Sequence, residues 1–161
     1  MGTARILKLS LANSHYFVGE DFSEHEALNQ LLSDHQYHHF ILYPGEGALT
    51  HNQVADKLDN GEKVRVILLD GTWKKAYKMW QLSSNLHTLP LIKLPEDLQG
   101  NYRIRKAPSD NSLSTVEAGY HILSLLQPEH DFSPLIESFN QMIEFQIKQM
   151  PPGVFEKNYL Q

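Results

Sequence analysis

The apolar run Val64–Leu69 constrains the fold of this chain more than any other segment. It is rich in aliphatic and β-branched residues, and Asp70-Gly71 ends it abruptly. A short run of this kind predicts a strand buried in a sheet. Helical patterns stand on both sides of it, and strands that alternate with helices are typical of a mostly parallel sheet covered by helices.

Further elements extend this alternation along the whole sequence. Three more strands are predicted at Ile6–Leu11, His39–Tyr43 and Leu89–Leu94. Capping-box patterns predict two helix starts, and hydroxyl caps predict two more. These helices are one opened by Ser23 and Glu26, one over Thr72–Leu82, one opened by Ser114 and Glu117, and one with Ser133 as its cap and Pro134 in its first turn. We therefore expect one α/β domain over residues 1–161.

Composition excludes several classes of protein. The 161 residues contain no cysteine, which excludes a disulfide framework, a thiolate nucleophile and a cysteine-held zinc. No apolar run reaches the roughly 18–20 residues of a membrane span, and the N-terminus does not read as a signal peptide, so we expect a cytoplasmic protein without a membrane partner. His35, His38 and His39 lack the spacing of a metal site, and no metal is predicted.

Three loops are candidates for chemistry because ligands of open α/β sheets bind beyond the carboxyl ends of the strands. They are Tyr43–Ala48, which holds two glycines, Asp70–Trp73, and the long irregular stretch from Tyr102 to Ala118. Each also has an ordinary explanation. The first is then a strand-to-helix turn, the second a helix cap beside a core tryptophan, and the third a surface loop in which Ser114 and Glu117 only cap a helix.

Basic residues cluster beside two of these loops, although the net charge is −5. Lys74 and Lys78 share one helical face, and this clustering favours a local track for phosphates over a uniformly basic surface. A solvated helix face is the alternative for the lysines. The clustered residues are Lys74, Lys75, Lys78, Arg103, Arg105 and Lys106, six of the 14 lysines and arginines.

The three loops, in this order, resemble those of the DTW-domain family, the tRNA-uridine aminocarboxypropyltransferases. Asp70, Thr72 and Trp73 match its naming motif within DGTWKKA, and Tyr43-Pro44-Gly45 resembles its YP loop. The segments RKAP and LSTVEA, at 105–108 and 113–118, resemble its third motif. The likeness covers nearly the whole chain and implies a SPOUT-like fold with a C-terminal trefoil knot. Many members carry an N-terminal cysteine cluster, which this chain lacks.

The resemblance implies that S-adenosylmethionine donates a 3-amino-3-carboxypropyl group to N3 of a uridine in tRNA and leaves as methylthioadenosine. Asp70, Thr72 and Trp73 would be catalytic, with Asp70 as general base and Trp73 stacked on the extruded base. Cofactor binding would fall to Tyr43, Pro44, Gly45, Arg105, Leu113, Ser114, Thr115 and Glu117, and RNA binding to Lys74, Lys75, Lys78 and Arg103. An RNA methyltransferase of the same fold and a non-catalytic RNA-binding module remain alternatives.

Overall fold

A parallel sheet of three strands organises residues Phe17–Pro95, which form one of the two compact units of the chain. The strands are β1 (Tyr37–Leu42), β2 (Lys63–Ile67) and β3 (Leu91–Ile92), in the order β2-β1-β3. Ile41 of the central strand lies opposite Ile67 on one side and Leu91 on the other, and it is fully buried. The strands predicted around residues 40, 66 and 91 are confirmed.

The computed structural model describes residues 7–9, 11, 13–58, 62–96 and 114–149. Within the first unit, helix α1 (Glu26–Leu32) precedes the sheet, α2 (His51–Lys57) connects β1 to β2, and α3 (Trp73–Leu82) with a 3₁₀ turn (Ser84–Leu86) connects β2 to β3. Parallel strands need such crossovers because the chain must return to the same edge of the sheet before each new strand. The predicted α/β class with a parallel sheet flanked by helices is therefore confirmed.

The core of this unit joins α1, the central strand and the 3₁₀ turn. Its most buried members are Phe22, Leu28, Ile41 and Leu86. A buried hydroxyl strengthens the same junction, because the Phe22 amide donates a hydrogen bond to Ser83 Oγ at 3.0 Å. The end of α3 is thus fixed to the loop that precedes α1.

The second compact unit combines residues 1–16 with residues 96–161. Its described part contains α4 (Thr115–Leu126) and α5 (Ser133–Gln149), which pack against each other. Val116, Ile122, Leu135 and Phe139 are buried between 0 and 2% exposure, so each helix presents an apolar face to the core. The two helices predicted to begin near Ser114 and Ser133 are confirmed.

The strand predicted at Ile6–Leu11 is wrong, because Leu7–Leu9 is helical and the Leu11 amide bonds to the Leu7 carbonyl at 2.9 Å. Alternating leucines suggested a strand, yet only Leu7 is buried, while Leu9 is 84% exposed. Leucine and lysine are good helix formers, and Leu7 and Leu11 fall on one helical face at four-residue spacing.

Two predicted caps are also wrong, although the helices behind them exist. His25, whose ring accepts the Leu28 amide, caps α1 instead of Ser23, because the amide and hydroxyl of Ser23 both donate to Asp21 Oδ1. At α5, Ser133 is the first helical residue, and its amide donates to Asp131 Oδ1 at 2.9 Å. In both cases an aspartate two residues upstream satisfies the serine backbone amide.

The C-terminal residues 150–161 lie outside the described part of the chain, so the trefoil knot stays a prediction. Within the described ranges no helix is both long and apolar enough to cross a membrane. The same ranges contain no group of three or more histidine, aspartate and glutamate side chains arranged to hold a metal ion.

Candidate functional site

The Tyr43-Pro44-Gly45 loop begins where the central strand ends. The Tyr43 amide donates to the Ile92 carbonyl at 3.1 Å, and the Ala48 amide closes a turn onto the Gly45 carbonyl at 3.1 Å. A Cβ on Gly45 would lie 2.9 Å from Leu91 Cδ1, so a side chain there would require the tip of Leu91 to move. Gly47 has φ +80° and nothing within 4 Å of a Cβ position, so a ligand has room to approach the backbone there.

The Asp70–Trp73 segment follows β2 and starts α3. Asp70 is half-buried, three residues beyond the last residue of the strand. Gly71 has φ +123°, a conformation that side chains oppose, and it turns the chain from strand into helix. Thr72 then caps α3, because its hydroxyl accepts the Lys75 amide at 3.3 Å. The predicted cap at Thr72 and the helix over residues 73–82 are confirmed.

Aromatic side chains join these two loops at the carboxyl ends of β1 and β2. The Tyr43 and Trp73 rings meet edge to face, with centroids 6.3 Å apart and an interplanar angle of 72°. Tyr43 also stacks on Trp80 at 5.6 Å and 8°, and Trp80 packs on His87 at 4.2 Å. Tyr43 and Trp73 were predicted from separate motifs, and the fold brings them into contact.

Burial raises the pKa of the Tyr43 hydroxyl above its ordinary value, and the nearby Tyr77 adds to this effect. The hydroxyl therefore stays protonated at neutral pH and acts as a hydrogen-bond donor. The indole Nε1 of Trp80 is a buried donor with no hydrogen-bond partner within the described ranges. Because this nitrogen is buried, it is not accessible to a ligand as the side chains stand.

Three lysines surround the start of α3, which contains no acidic residue. Lys74 and Lys75 occupy the second and third helical positions, where the helix dipole is already positive. Lys78 forms an exposed ion pair with Glu20, with Nζ and Oε2 3.2 Å apart. The predicted phosphate track is therefore strongest at Lys74 and Lys75, since the charge of Lys78 is partly compensated.

The start of α4 belongs to the second unit and is largely buried. Ser114 is 1% exposed and Glu117 is 4% exposed, and they form a reciprocal capping box. Ser114 Oγ donates to Glu117 Oε1 at 2.9 Å and accepts the Glu117 amide at 3.3 Å. The predicted capping box is confirmed, and the Ser114 hydroxyl is occupied by it. Thr115, half-buried, is the first helical residue. The cofactor roles of all three stay predictions.

The remaining predicted site residues, Arg103, Arg105 and Leu113, lie outside the described residues. Sequence reasoning missed two side chains that the fold places at the site, Tyr77 and Trp80. A signal existed: Trp73, Tyr77 and Trp80 are spaced by four and then three residues, which puts them along one face of a helix.

Comparisons with known proteins agree with the motifs. The model of the DTW domain family matches residues 1–147. A tRNA-uridine aminocarboxypropyltransferase 2 from Drosophila melanogaster is 26% identical over 151 residues, 90% of this chain and 58% of the fly protein. The protein of the same name from Mus musculus is 26% identical over 145 residues, 89% of this chain and 48% of its own length.

A third relative of that name, from Macaca fascicularis, is 27% identical over 110 residues, 67% of this chain and 36% of the macaque protein. The chain thus spans about half the length of the first two relatives. No solved structure gives a significant match. The family model covers most of the sequence, and the Asp70-Gly71-Thr72-Trp73 and Tyr43-Pro44-Gly45 loops meet at one edge of the sheet. The chain therefore belongs to the DTW domain family.

Proposed function

We propose that this chain transfers a 3-amino-3-carboxypropyl group from S-adenosylmethionine to N3 of a uridine in tRNA and releases methylthioadenosine. The observation that carries the proposal is the contact between Tyr43 and Trp73, 6.3 Å between ring centroids. It joins the two strand-end loops whose motifs mark the family. The names of the relatives in fly, mouse and macaque support the reaction and the substrate.

The described residues fit an adenosine-bearing cofactor. The Tyr43 hydroxyl offers a hydrogen-bond donor, and Trp73, which is 50% exposed, leaves a flat face for the acceptor base. The open backbone at Gly47 allows close approach. We assign Tyr43, Pro44 and Gly45 to cofactor binding together with Arg105, Leu113, Ser114, Thr115 and Glu117. When bound, the cofactor supplies a sulfonium that activates the adjacent γ-carbon for substitution.

Asp70 acts as the general base in this proposal. Uridine N3–H is a weak acid, so its proton must leave for N3 to become a good nucleophile. The Asp70 carboxylate takes that proton, N3 forms the new bond to the γ-carbon, and the carbon–sulfur bond breaks with its electron pair retained by sulfur. Thr72 holds the start of α3 behind Asp70 through its bond to the Lys75 amide, and Trp73 stacks the extruded uridine.

RNA is held by Lys74, Lys75 and Lys78 together with Arg103, through contacts to phosphates that carry affinity more than sequence choice. The family assignment also supports a SPOUT-like trefoil knot in the C-terminal part of the chain and a cytoplasmic location. These assignments add the RNA contacts, the fold and the location to the donor, the acceptor and the base named above.

The test is incubation of the protein with unmodified tRNA and S-adenosylmethionine carrying a labelled carboxyl carbon, followed by nucleoside mass analysis. We expect labelled aminocarboxypropyl-uridine and an equal amount of methylthioadenosine. S-adenosylhomocysteine with a methylated nucleoside would establish a methyltransferase instead. Retention of tRNA without any transfer would establish an RNA-binding module.

A further inference from the structure

Two aromatic side chains on α3 stand out by their exposure. Trp73 and Tyr77 are each 50% exposed, and they lie one helical turn apart on the same face. Single exposed aromatics are common on protein surfaces, but neighbouring ones form a contiguous apolar patch that usually has a partner. Together these two rings form the Trp73–Tyr77 face of α3.

Neighbouring side chains support both rings. Gln81 Nε2 donates to the Tyr77 hydroxyl at 2.9 Å, which links the phenol to the next turn of the helix. Trp73 rests against the edge of Tyr43, which is itself stacked on Trp80. Rings that are held in place lose little conformational freedom on binding, so they are suited to stacking.

The charge around the face indicates which partner it fits. Lysines follow both aromatic residues directly, Lys74 after Trp73 and Lys78 after Tyr77. No acidic residue lies within α3, and Glu20 from outside the helix pairs with Lys78 and leaves Lys74 as the stronger positive charge. The chain as a whole carries a net charge of −5, so the positive charge is local. Aromatic rings alternating with cations match a single-stranded nucleic acid, whose bases stack while its phosphates pair with lysines.

The spacing also indicates an unpaired segment. Four helical residues advance about 6 Å, at 1.5 Å per residue, whereas one strand of a duplex rises about 3.4 Å per nucleotide. Bases stacked on both rings would therefore be separated from each other, as in the splayed loops that proteins recognise in RNA.

We infer that the Trp73–Tyr77 face binds two consecutive unpaired nucleotides of the RNA substrate, with Trp73 stacked on the target uridine and Tyr77 on its neighbour. The inference rests on the proposed function for the identity of the target and adds a second stacking position to it. Tyr77 is a positioning residue, since it holds the neighbouring nucleotide while the target base lies at Asp70. Its loss removes the stacking partner of the neighbouring nucleotide and therefore weakens RNA binding.

The experiment measures binding of two labelled probes by fluorescence anisotropy at low salt: a uridine pentanucleotide, and a pentanucleotide of the same backbone without bases. Tyr77→Ala should weaken binding of the uridine probe roughly 5- to 150-fold, as loss of one stacked base does. Tyr77→Phe keeps the ring and should remain within about twofold of the wild type. Neither substitution should change binding of the baseless probe.

Leu82→Ala is the matched control, because Leu82 is an exposed apolar residue of the same helix at 42% exposure but has no ring to stack. It should bind both probes as the wild type does. Equal affinity of wild type and Tyr77→Ala for the uridine probe, or failure of the wild type to bind either probe, overturns the inference. So does a dimer that Tyr77→Ala dissociates, since the face would then bind a second copy.

Product analysis on tRNA separates this inference from the proposed function. If wild type and Tyr77→Ala form aminocarboxypropyl-uridine equally well, with the same KM for tRNA, the proposed function is supported and the inference is wrong. If Tyr77→Ala no longer binds the uridine probe but the wild type forms no product from tRNA, the stacking face is supported and the proposed function is wrong. With both correct, Tyr77→Ala raises the KM for tRNA by a larger factor than the KM for the cofactor.

Discussion

Helices α3 and α4 both begin with a hydroxyl that accepts the amide of the third helical residue, at 3.3 Å in each case. In α4 that third residue is Glu117, whose carboxylate accepts a hydrogen bond from the Ser114 amide at 3.1 Å. In α3 the third residue is Lys75, whose ammonium group cannot accept a hydrogen bond from the Thr72 amide. The two helix starts therefore share the capping hydrogen bond but differ in the charge and the hydrogen bonding of the third helical residue.

The two helix starts differ in how far stability alone explains their charges. The start of α4 is buried, and an acidic side chain there matches the positive end of the helix dipole. The start of α3 is exposed and carries two lysines where the dipole disfavours cations, at a cost of about 0.3–1 kcal/mol each. Stability explains the acidic residue at the start of α4. It does not explain the two lysines at the start of α3, whose charge suits an anionic partner.

The largest expected effect tests the chemistry proposed at the start of α3. Asp70→Asn preserves shape but removes the base, so turnover should fall by roughly 10²–10⁴. The measurement is the initial rate of aminocarboxypropyl-uridine formation, with S-adenosylmethionine affinity by calorimetry and circular dichroism as controls. A rate within a few-fold of the wild type would mean that Asp70 has a structural role, as the capping residues at the start of α4 have.

The next effect compares the caps themselves. Ser114→Ala should lower the free energy of unfolding by about 1–3 kcal/mol, because it leaves the buried Glu117 carboxylate short of a donor. Thr72→Ala should cost only about 0.5–1 kcal/mol, because that cap is exposed to water. Urea unfolding of the two variants measures the difference. Equal losses would mean that burial does not distinguish the two helix starts.

A smaller effect has opposite signs for stability and binding. Changing Lys74 and Lys75 together to alanine should raise the free energy of unfolding by about 0.6–2 kcal/mol, because it removes two cations from the positive helix end. The same change should reduce the slope of log Kd for tRNA against log salt by roughly 1.5 for two lost phosphate contacts.

Lys78→Ala is the control for that pair, because its ion pair with Glu20 already compensates part of the charge. Its effect on the slope should be less than that of either Lys74 or Lys75. Filter binding across a salt series and urea unfolding supply the two readouts. A slope that does not change in the double variant would assign the lysines to an ordinary solvated helix face.

The smallest effect concerns pH and His121, one turn beyond Glu117. Burial lowers the pKa of His121 below its ordinary value, and the Glu117 charge partly opposes this. The unfolded chain therefore binds a proton at higher pH than the folded chain does. As pH falls from about 6.5 through the folded pKa, His121 should reduce the free energy of unfolding. His121→Gln removes that contribution.

Proton titration followed by NMR checks the cause. Glu117→Gln should lower the pKa of His121 further, since the neighbouring negative charge is gone. Burial and the charge of Arg65 also lower the pKa of His39. The His121 variant should therefore still lose some stability at low pH, because His39 is unchanged. A His121 pKa that rises in Glu117→Gln would contradict the assigned electrostatics.

The sequence predicted the sheet well because its strands are short apolar runs ended by turn residues, as at Asp70-Gly71. It predicted the capping boxes unevenly. The pattern at Ser114 and Glu117 formed, whereas the equivalent pattern at Ser23 and Glu26 did not, because Asp21 binds the amide and hydroxyl of Ser23. A capping pattern specifies only compatible side chains, and neighbouring acceptors decide whether they are used.

By itself the sequence determined the α/β class, the family and the residues of the two strand-end loops, because periodicity and motifs are local properties of the chain. Only the tertiary structure decided that Tyr43 meets Trp73, that Trp80 and Tyr77 join them, and that Glu20 pairs with Lys78. These contacts join residues far apart along the chain. The contact between Tyr43 and Trp73 arises because parallel strands bring their carboxyl ends to one edge of the sheet.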